Sequence, residues 1–244
     1  MPLPTERQLF DVWERGFPAS ASERASALLS LAQSAALMTA AAEMTLGARE
    51  RALLLLRRNL LGARMTALAD CPACGERHDV EFDVDALLAH ESSQTASVLH
   101  VQHDDLTLTV RPLYLADLPA AAALHDVKAA ADALLERCVL EARRGEERIE
   151  PAALSPAARA AIGAALRSAD PLCELTTELQ CAGCGHHWSA TLDTAAYLWR
   201  ELHMWAERLL REIHTLASAY GWTEDDVLRL SPWRRATYAA MAAR

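Results

Sequence analysis

The strongest constraint on this chain is a repeated cysteine pattern. Cys71-Pro72-Ala73-Cys74-Gly75 recurs as Cys181-Ala182-Gly183-Cys184-Gly185, 110 residues later. The same displacement lays Phe82 on Leu192 and Asp83 on Asp193. Each copy reads as a strand, a tight knuckle, a glycine, a second strand, and a helix opening near the aspartate. The first copy runs from residues 65–70 into alternating His78, Val80, Phe82 and Val84; the second runs from 173–179 into Trp188, Ala190 and Leu192. Two residues between cysteines let both thiolates reach one ion from a tight turn. The following glycine lets the backbone fold back and aim amides at the sulfurs. Two such turns complete a tetrahedral four-cysteine site, which is coordinatively closed and therefore structural. Cys71, Cys74, Cys181 and Cys184 are thus predicted to hold one structural zinc per chain, in a zinc-ribbon-like module whose halves are split by an insertion. Binding would also contribute folding free energy. One alternative is a redox pair, against which neither motif opens a helix after a thioredoxin-like strand. Another is two incomplete sites, completed by His78, His186 or His187. Cys138 and Cys173 read as ordinary small core residues.

The rest of the chain reads as helix. Hydrophobic residues make up 52% of the 244, but much of that share is alanine, which favours helix and adds little burial per residue. Six tryptophans supply the large anchors. Helices are expected over residues 5–15, 22–44, 48–61, 118–143, 155–167, 194–220 and 233–243, with a β-hairpin over 96–114 turning at Asp104-Asp105. Along 194–220 the apolar positions Leu198, Leu202, Trp205, Leu209, Ile213, Leu216 and Tyr220 recur at steps of three and four, one face of a helix roughly 40 Å long. Thr223 with Asp226 resembles a capping box, and Ser231-Pro232 supplies an N-cap and first-turn pair. The expected fold class is α+β and mainly α-helical: a helical bundle with a small split zinc-ribbon-like β module and a long C-terminal helix. Its parts are an N-terminal helical region (1–62), the first knuckle half (63–92), a β-hairpin and alanine-rich helical insertion (93–172), the second knuckle half (173–193) and a C-terminal helical docking segment (194–244).

The formal net charge of −9 argues against a general nucleic-acid binder, which needs a basic footprint to displace counterions from phosphates. Residues 1–7 lack a basic region followed by an apolar one, and the apolar run 52–61 is broken by Arg57 and Arg58. The reading is a protein of a reducing cytosol with no membrane span, where paired cysteines serve metals rather than disulfides. The sequence carries no His-Glu-x-x-His, phosphate-binding glycine loop or Gly-x-Ser-x-Gly, so neither an enzyme nor a small-molecule substrate is expected. A catalytic zinc would need the open position that four cysteines deny it. His203 and His214 read as exposed or core histidines, and Glu201, Glu207 and Glu212 with Arg200, Arg208 and Arg211 as a solvated charged face.

Residues 209–238 are the most distinctive. Tyr220, Trp222, Arg234, Arg235 and Tyr238 are of the types favoured at interface anchors, whereas the plainer reading packs the aromatics under a turn and solvates the arginines. His214-x-Leu-Ala-x-x-Tyr220-Gly221-Trp222, a short helix, then Leu230-Ser231-Pro232-x-Arg234-Arg235-x-x-Tyr238 resembles the tail end of T4-type phage baseplate hub and hub-assembly-chaperone proteins and their relatives in phage-like contractile injection systems. Trp13-Glu14-Arg15-Gly16, the leucine-rich helix before Cys71 and both knuckles extend the resemblance in patches over most of the chain. It implies a non-enzymatic baseplate component or assembly chaperone whose partners are other baseplate or tail proteins. It also implies cytoplasmic assembly, with the protein kept in the virion or tail-like particle or released. By the same resemblance Tyr220, Trp222, Arg234, Arg235 and Tyr238 are candidate partner-binding residues. A zinc-ribbon adaptor for nucleic acid or protein, and a zinc or thiol enzyme, are the competing readings.

Overall fold

The computed structural model describes residues 3–32, 43–89 and 97–242. In chain order its elements are α1 (Glu6–Gly16), α2 (Ala21–Ala32), α3 (Leu46–Leu61), β1 (Arg64–Asp70), β2 (Arg77–Asp83), α4 (Val84–Ala89), β3 (Leu99–His103), β4 (Leu106–Val110), α5 (Leu118–Ala122), α6 (Val127–Cys138), β5 (Val139–Arg144), β6 (Glu147–Arg148), α7 (Pro156–Ala169), β7 (Thr176–Gln180), β8 (His187–Thr191), α8 (Thr194–Tyr220), α9 (Glu224–Leu228) and α10 (Pro232–Ala242). The protein is mainly helical, with small antiparallel sheets. It divides into two units, Met1–Ala32 with Thr194–Arg244, and Gln33–Asp193.

The first unit is helical and is organised on α8. The apolar stripe of that helix buries Leu198, Leu202, Leu209, Ile213 and Leu216, and Phe10 of α1 and Val227 of α9 complete the cluster around the last three. Thr5 starts α1 with a reciprocal cap: Gln8 N–H donates to Thr5 Oγ1, and Thr5 N–H donates to Gln8 Oε1 at 2.8 Å. At the other end of α1, Gly16 meets the Trp199 ring, where an added Cβ would stand 2.4 Å from the indole. Arg24 lies over the same ring and donates to the Gly16 and Phe17 carbonyls, satisfying acceptors that the helix end leaves free. Thr223 and Asp226 form the expected capping box on α9, and Gly221, at φ 69°, ends α8.

Arg235 locks α10 into this unit. It is 2% exposed and donates two 2.7 Å hydrogen bonds to the Glu6 carboxylate, a third to Glu212 and a fourth to the Leu230 carbonyl. Glu6 sits 229 positions away, so nothing local in the sequence foretells the pairing.

In the second unit α3 leads into the hairpin β1–β2, and β7–β8 is a separate two-stranded hairpin. Between them in the sequence comes the four-stranded antiparallel sheet β3-β4-β5-β6. Leu106, Leu108, Val110 and Ala142 of that sheet pack with Leu154, Ala158 and Ile162. Gly47 lies inside α3, not before it: its N–H donates to Asp170 Oδ2 at 2.9 Å, and a Cβ there would collide with that carboxylate. Asp117, buried, takes a two-pronged bond from Arg111, and that guanidinium holds its carboxyl below the usual range.

Two helix expectations change. The helix expected over 118–143 is broken: Asp126 restarts it as an N-cap, and from Val139 the chain turns to strand, with Ala142 paired to Leu108. Alanine-rich propensity is a weak preference there, and cross-strand pairing over a buried face overrides it. Of the helix expected over 22–44, residues 33–42 lie outside the described residues, while Met44 accepts from Leu115 N–H and Thr45 bridges Tyr114 before capping α3.

Replacing Arg235 with Met should cost about 2–4 kcal/mol, because it strands the Glu6 and Glu212 carboxylates. Replacing the exposed Arg234 with Met should stay within about 0.5 kcal/mol. Urea unfolding of both variants checks this, and equal midpoints would contradict the assigned roles.

Candidate metal centre

Each knuckle is held by the same backbone bonds. Cys71 N–H donates to the Glu76 carbonyl at 2.8 Å and Gly75 N–H to the Cys71 carbonyl at 2.8 Å; Cys181 N–H donates to His186 and Gly185 N–H to Cys181, both at 2.9 Å. Gly75 and Gly185 adopt φ of 77° and 72°, a region that favours glycine. This is why the glycine recurs with the cysteines.

The two hairpins bring their turns together. Cys71 Sγ lies 3.7 Å from Cys184 Sγ, and Cys74 Sγ lies 3.5 Å from Cys181 Sγ. The first cysteine of each knuckle therefore faces the second of the other, an exchange that an approximate two-fold axis would produce. The repeat-equivalent residues His78 and Trp188 also meet, with ring centroids 5.8 Å apart. All four sulfurs lie within 4.8 Å of one another. Cys71 and Cys181 are buried, and Cys74 and Cys184 are exposed.

The donor set suits a thiophilic divalent ion. Tetrahedral bonds of about 2.3 Å put sulfurs about 3.8 Å apart, close to the two separations here. Backbone N–H groups of Ala73, Cys74, Glu76, Cys184 and His186 point at the sulfurs. Burial resists ionisation of Cys71, but the Ala73 and Cys74 N–H groups and the sulfurs of Cys184 and Cys74 outweigh it and bring that thiol down to about 7. The other three thiols are held above their ordinary value. Burial is the main cause for Cys181; for Cys74 and Cys184 the N–H groups of Glu76 and His186 oppose a rise that burial and neighbouring sulfurs produce. Four sulfurs this close cannot all carry charge without a cation among them.

His186 and His187 are not in the sulfur cluster; His186 stacks on Trp188 instead. Glu76 and His78 do approach Cys181, a grouping the cysteine spacing alone did not single out. Cys138 and Cys173 stand apart from the cluster, and burial pushes each thiol up to about 11.

The C-terminal residues separate into inward and outward sets. Tyr220 stacks on Trp222 with centroids 4.8 Å apart, and Tyr238 meets Trp222 edge-on at 5.1 Å. Arg235 is spent on Glu6 and Glu212, while Arg234 is exposed. Trp233, which is not among the expected anchors, is 76% exposed. His203 accepts from Trp13 Nε1 at 3.0 Å, a bond between α1 and α8.

The fold and the cluster define a mainly helical protein whose second unit is drawn together at four cysteines. A family model described as T4 bacteriophage base plate protein matches residues 17–196, well over half of the chain, and the chain belongs to that family. No curated protein and no solved structure matches it. No helix among the described residues is long and apolar enough to cross a membrane.

Brief alkylation of the folded, metal-free chain at neutral pH should label Cys71, whose thiol is brought down to about 7, and the exposed Cys74 and Cys184 before Cys138 and Cys173, whose burial suppresses thiolate. Peptide mass spectrometry reads the pattern; equally fast labelling of Cys138 or Cys173 would contradict it.

Proposed function

We propose that this chain acts without catalysis, as a baseplate hub component or a chaperone of hub assembly in a contractile phage tail or phage-like injection system. The observation that carries this reading is membership of the T4 base plate family over residues 17–196. Its partners are other baseplate or tail proteins, met during assembly in the cytoplasm of the producing cell.

One structural zinc, held by Cys71, Cys74, Cys181 and Cys184, stabilises the second unit in this reading. The sulfur spacing supports it. Zinc supplies closed tetrahedral coordination and folding free energy when bound. The chain's own part is to present the sulfurs from two rigid turns and to aim backbone N–H groups at them.

The end of α8 with α10 is the docking surface. Trp233, Arg234 and Tyr220 are exposed there, and these are anchor types that bind well when desolvated. Trp222 and Tyr238 brace Tyr220 from behind, and Arg235 holds α10 in place.

Quantitative mass spectrometry of purified tail particles against the producing lysate tests the reading. Stoichiometric recovery in particles makes the chain a component; association with baseplate proteins in lysate alone makes it a chaperone. Association in neither would contradict the proposal. A Trp233→Ala, Arg234→Ala double variant should lose that association at an unchanged melting temperature, and full association would contradict the docking surface.

A further inference from the structure

Beside the four sulfurs the two knuckles are not equivalent. The repeat sets Glu76 against His186 and His78 against Trp188, so only one side carries a carboxylate and an imidazole together. A carboxylate oxygen of Glu76, a ring nitrogen of His78 and Cys181 Sγ all lie within 4.8 Å of one another. Glu76 Oε2 is 3.3 Å from Cys181 Sγ. His78 Nε2 is shielded from solvent and has no hydrogen-bond partner among the described residues. A nitrogen so placed has lost water without replacement, an unfavourable state that a cation would relieve.

The second knuckle leaves room for this arrangement. Gly183 stands where the first knuckle has Ala73, and a Cβ on it would fall 2.0 Å from Glu76 Oε2. Gly183 does not have the positive φ of Gly185, so its small size, not its backbone freedom, is what the Glu76 carboxylate uses.

We propose that Glu76, His78 and Cys181 form an entry and exchange position through which a thiophilic divalent cation such as zinc reaches and leaves the four-cysteine site. The inference rests on the zinc reading above. Glu76 is exposed, His78 half-buried and Cys181 buried, so the carboxylate would be the first of the three to hold an arriving cation and the Cys181 sulfur would hand it to the other three cysteines. Such a path would exchange one ligand for another at each transfer, so that the ion would keep some donors throughout. Each thiol that came to hold the ion would release its proton to water, and the hydrogen bond that the Cys181 thiol donates to Glu76 Oε2 would be given up. Oxygen and nitrogen donors bind zinc less tightly than a closed set of four thiolates, which suits a waypoint.

The test uses the zinc-loaded full chain, with zinc release to a colorimetric chelator and uptake of added zinc both timed. Glu76→Gln, His78→Phe and Gly183→Ala should keep wild-type zinc content and melting temperature. Release and uptake should slow by about tenfold or more, the scale on which residues next to metal ligands act. His186→Gln, at the repeat-equivalent position, should leave both rates unchanged. Wild-type rates in all three variants would overturn the entry position, as would equal slowing in His186→Gln, or loss of zinc at equilibrium in Glu76→Gln and His78→Phe. A wild-type chain without stoichiometric zinc would instead remove the zinc reading itself.

Discussion

Four sulfur atoms, two from each of two hairpins more than a hundred residues apart, meet within 4.8 Å, and the second unit closes on that point. Tying a loop of about a hundred residues removes unfolded-chain entropy worth about 4–5 kcal/mol in the cross-link model. As free thiols or thiolates the sulfurs do not supply that tie. Brought together as thiolates they repel, and brought together as thiols they interact weakly. A divalent cation would reverse both problems, and that is the contribution the proposed zinc would make to this unit. In the sequence, the four-stranded sheet, its packed α7 and Asp170, which binds Gly47 of α3, all fall between the two knuckles.

The knuckles were legible because their chemistry is local. Cysteine spacing, a glycine at positive φ and period-two alternation are all written within about ten residues, and they recur at a constant displacement. The long helix was legible for the same reason, since its apolar period persists over seven turns of Thr194–Tyr220. Long-range pairings were not legible. Nothing near Val139 announces that the chain should leave a helix, because the reason is the partner strand β4. Arg235 looks like its neighbour Arg234 until Glu6 and Glu212 are set beside it. Asp170 explains Gly47 only across 123 residues.

Those two arginines also show how the C-terminal segment serves its proposed role. A docking surface needs anchors held still, so that little entropy is lost when a partner arrives. Arg235 and the aromatic stack provide the holding, and Trp233 and Arg234 provide the exposed chemistry. The family assigns the chain to a baseplate, and a large apolar side chain left open on a helix is what assembly with neighbouring proteins would cover.

The most direct test of the account is the metal content of the purified chain, measured by elemental analysis beside its melting temperature, for the wild type and for Cys181→Ser. The account predicts one zinc per wild-type chain, and loss of that zinc with a lowered melting temperature in the variant. Full zinc binding and an unchanged melting temperature in Cys181→Ser would contradict it.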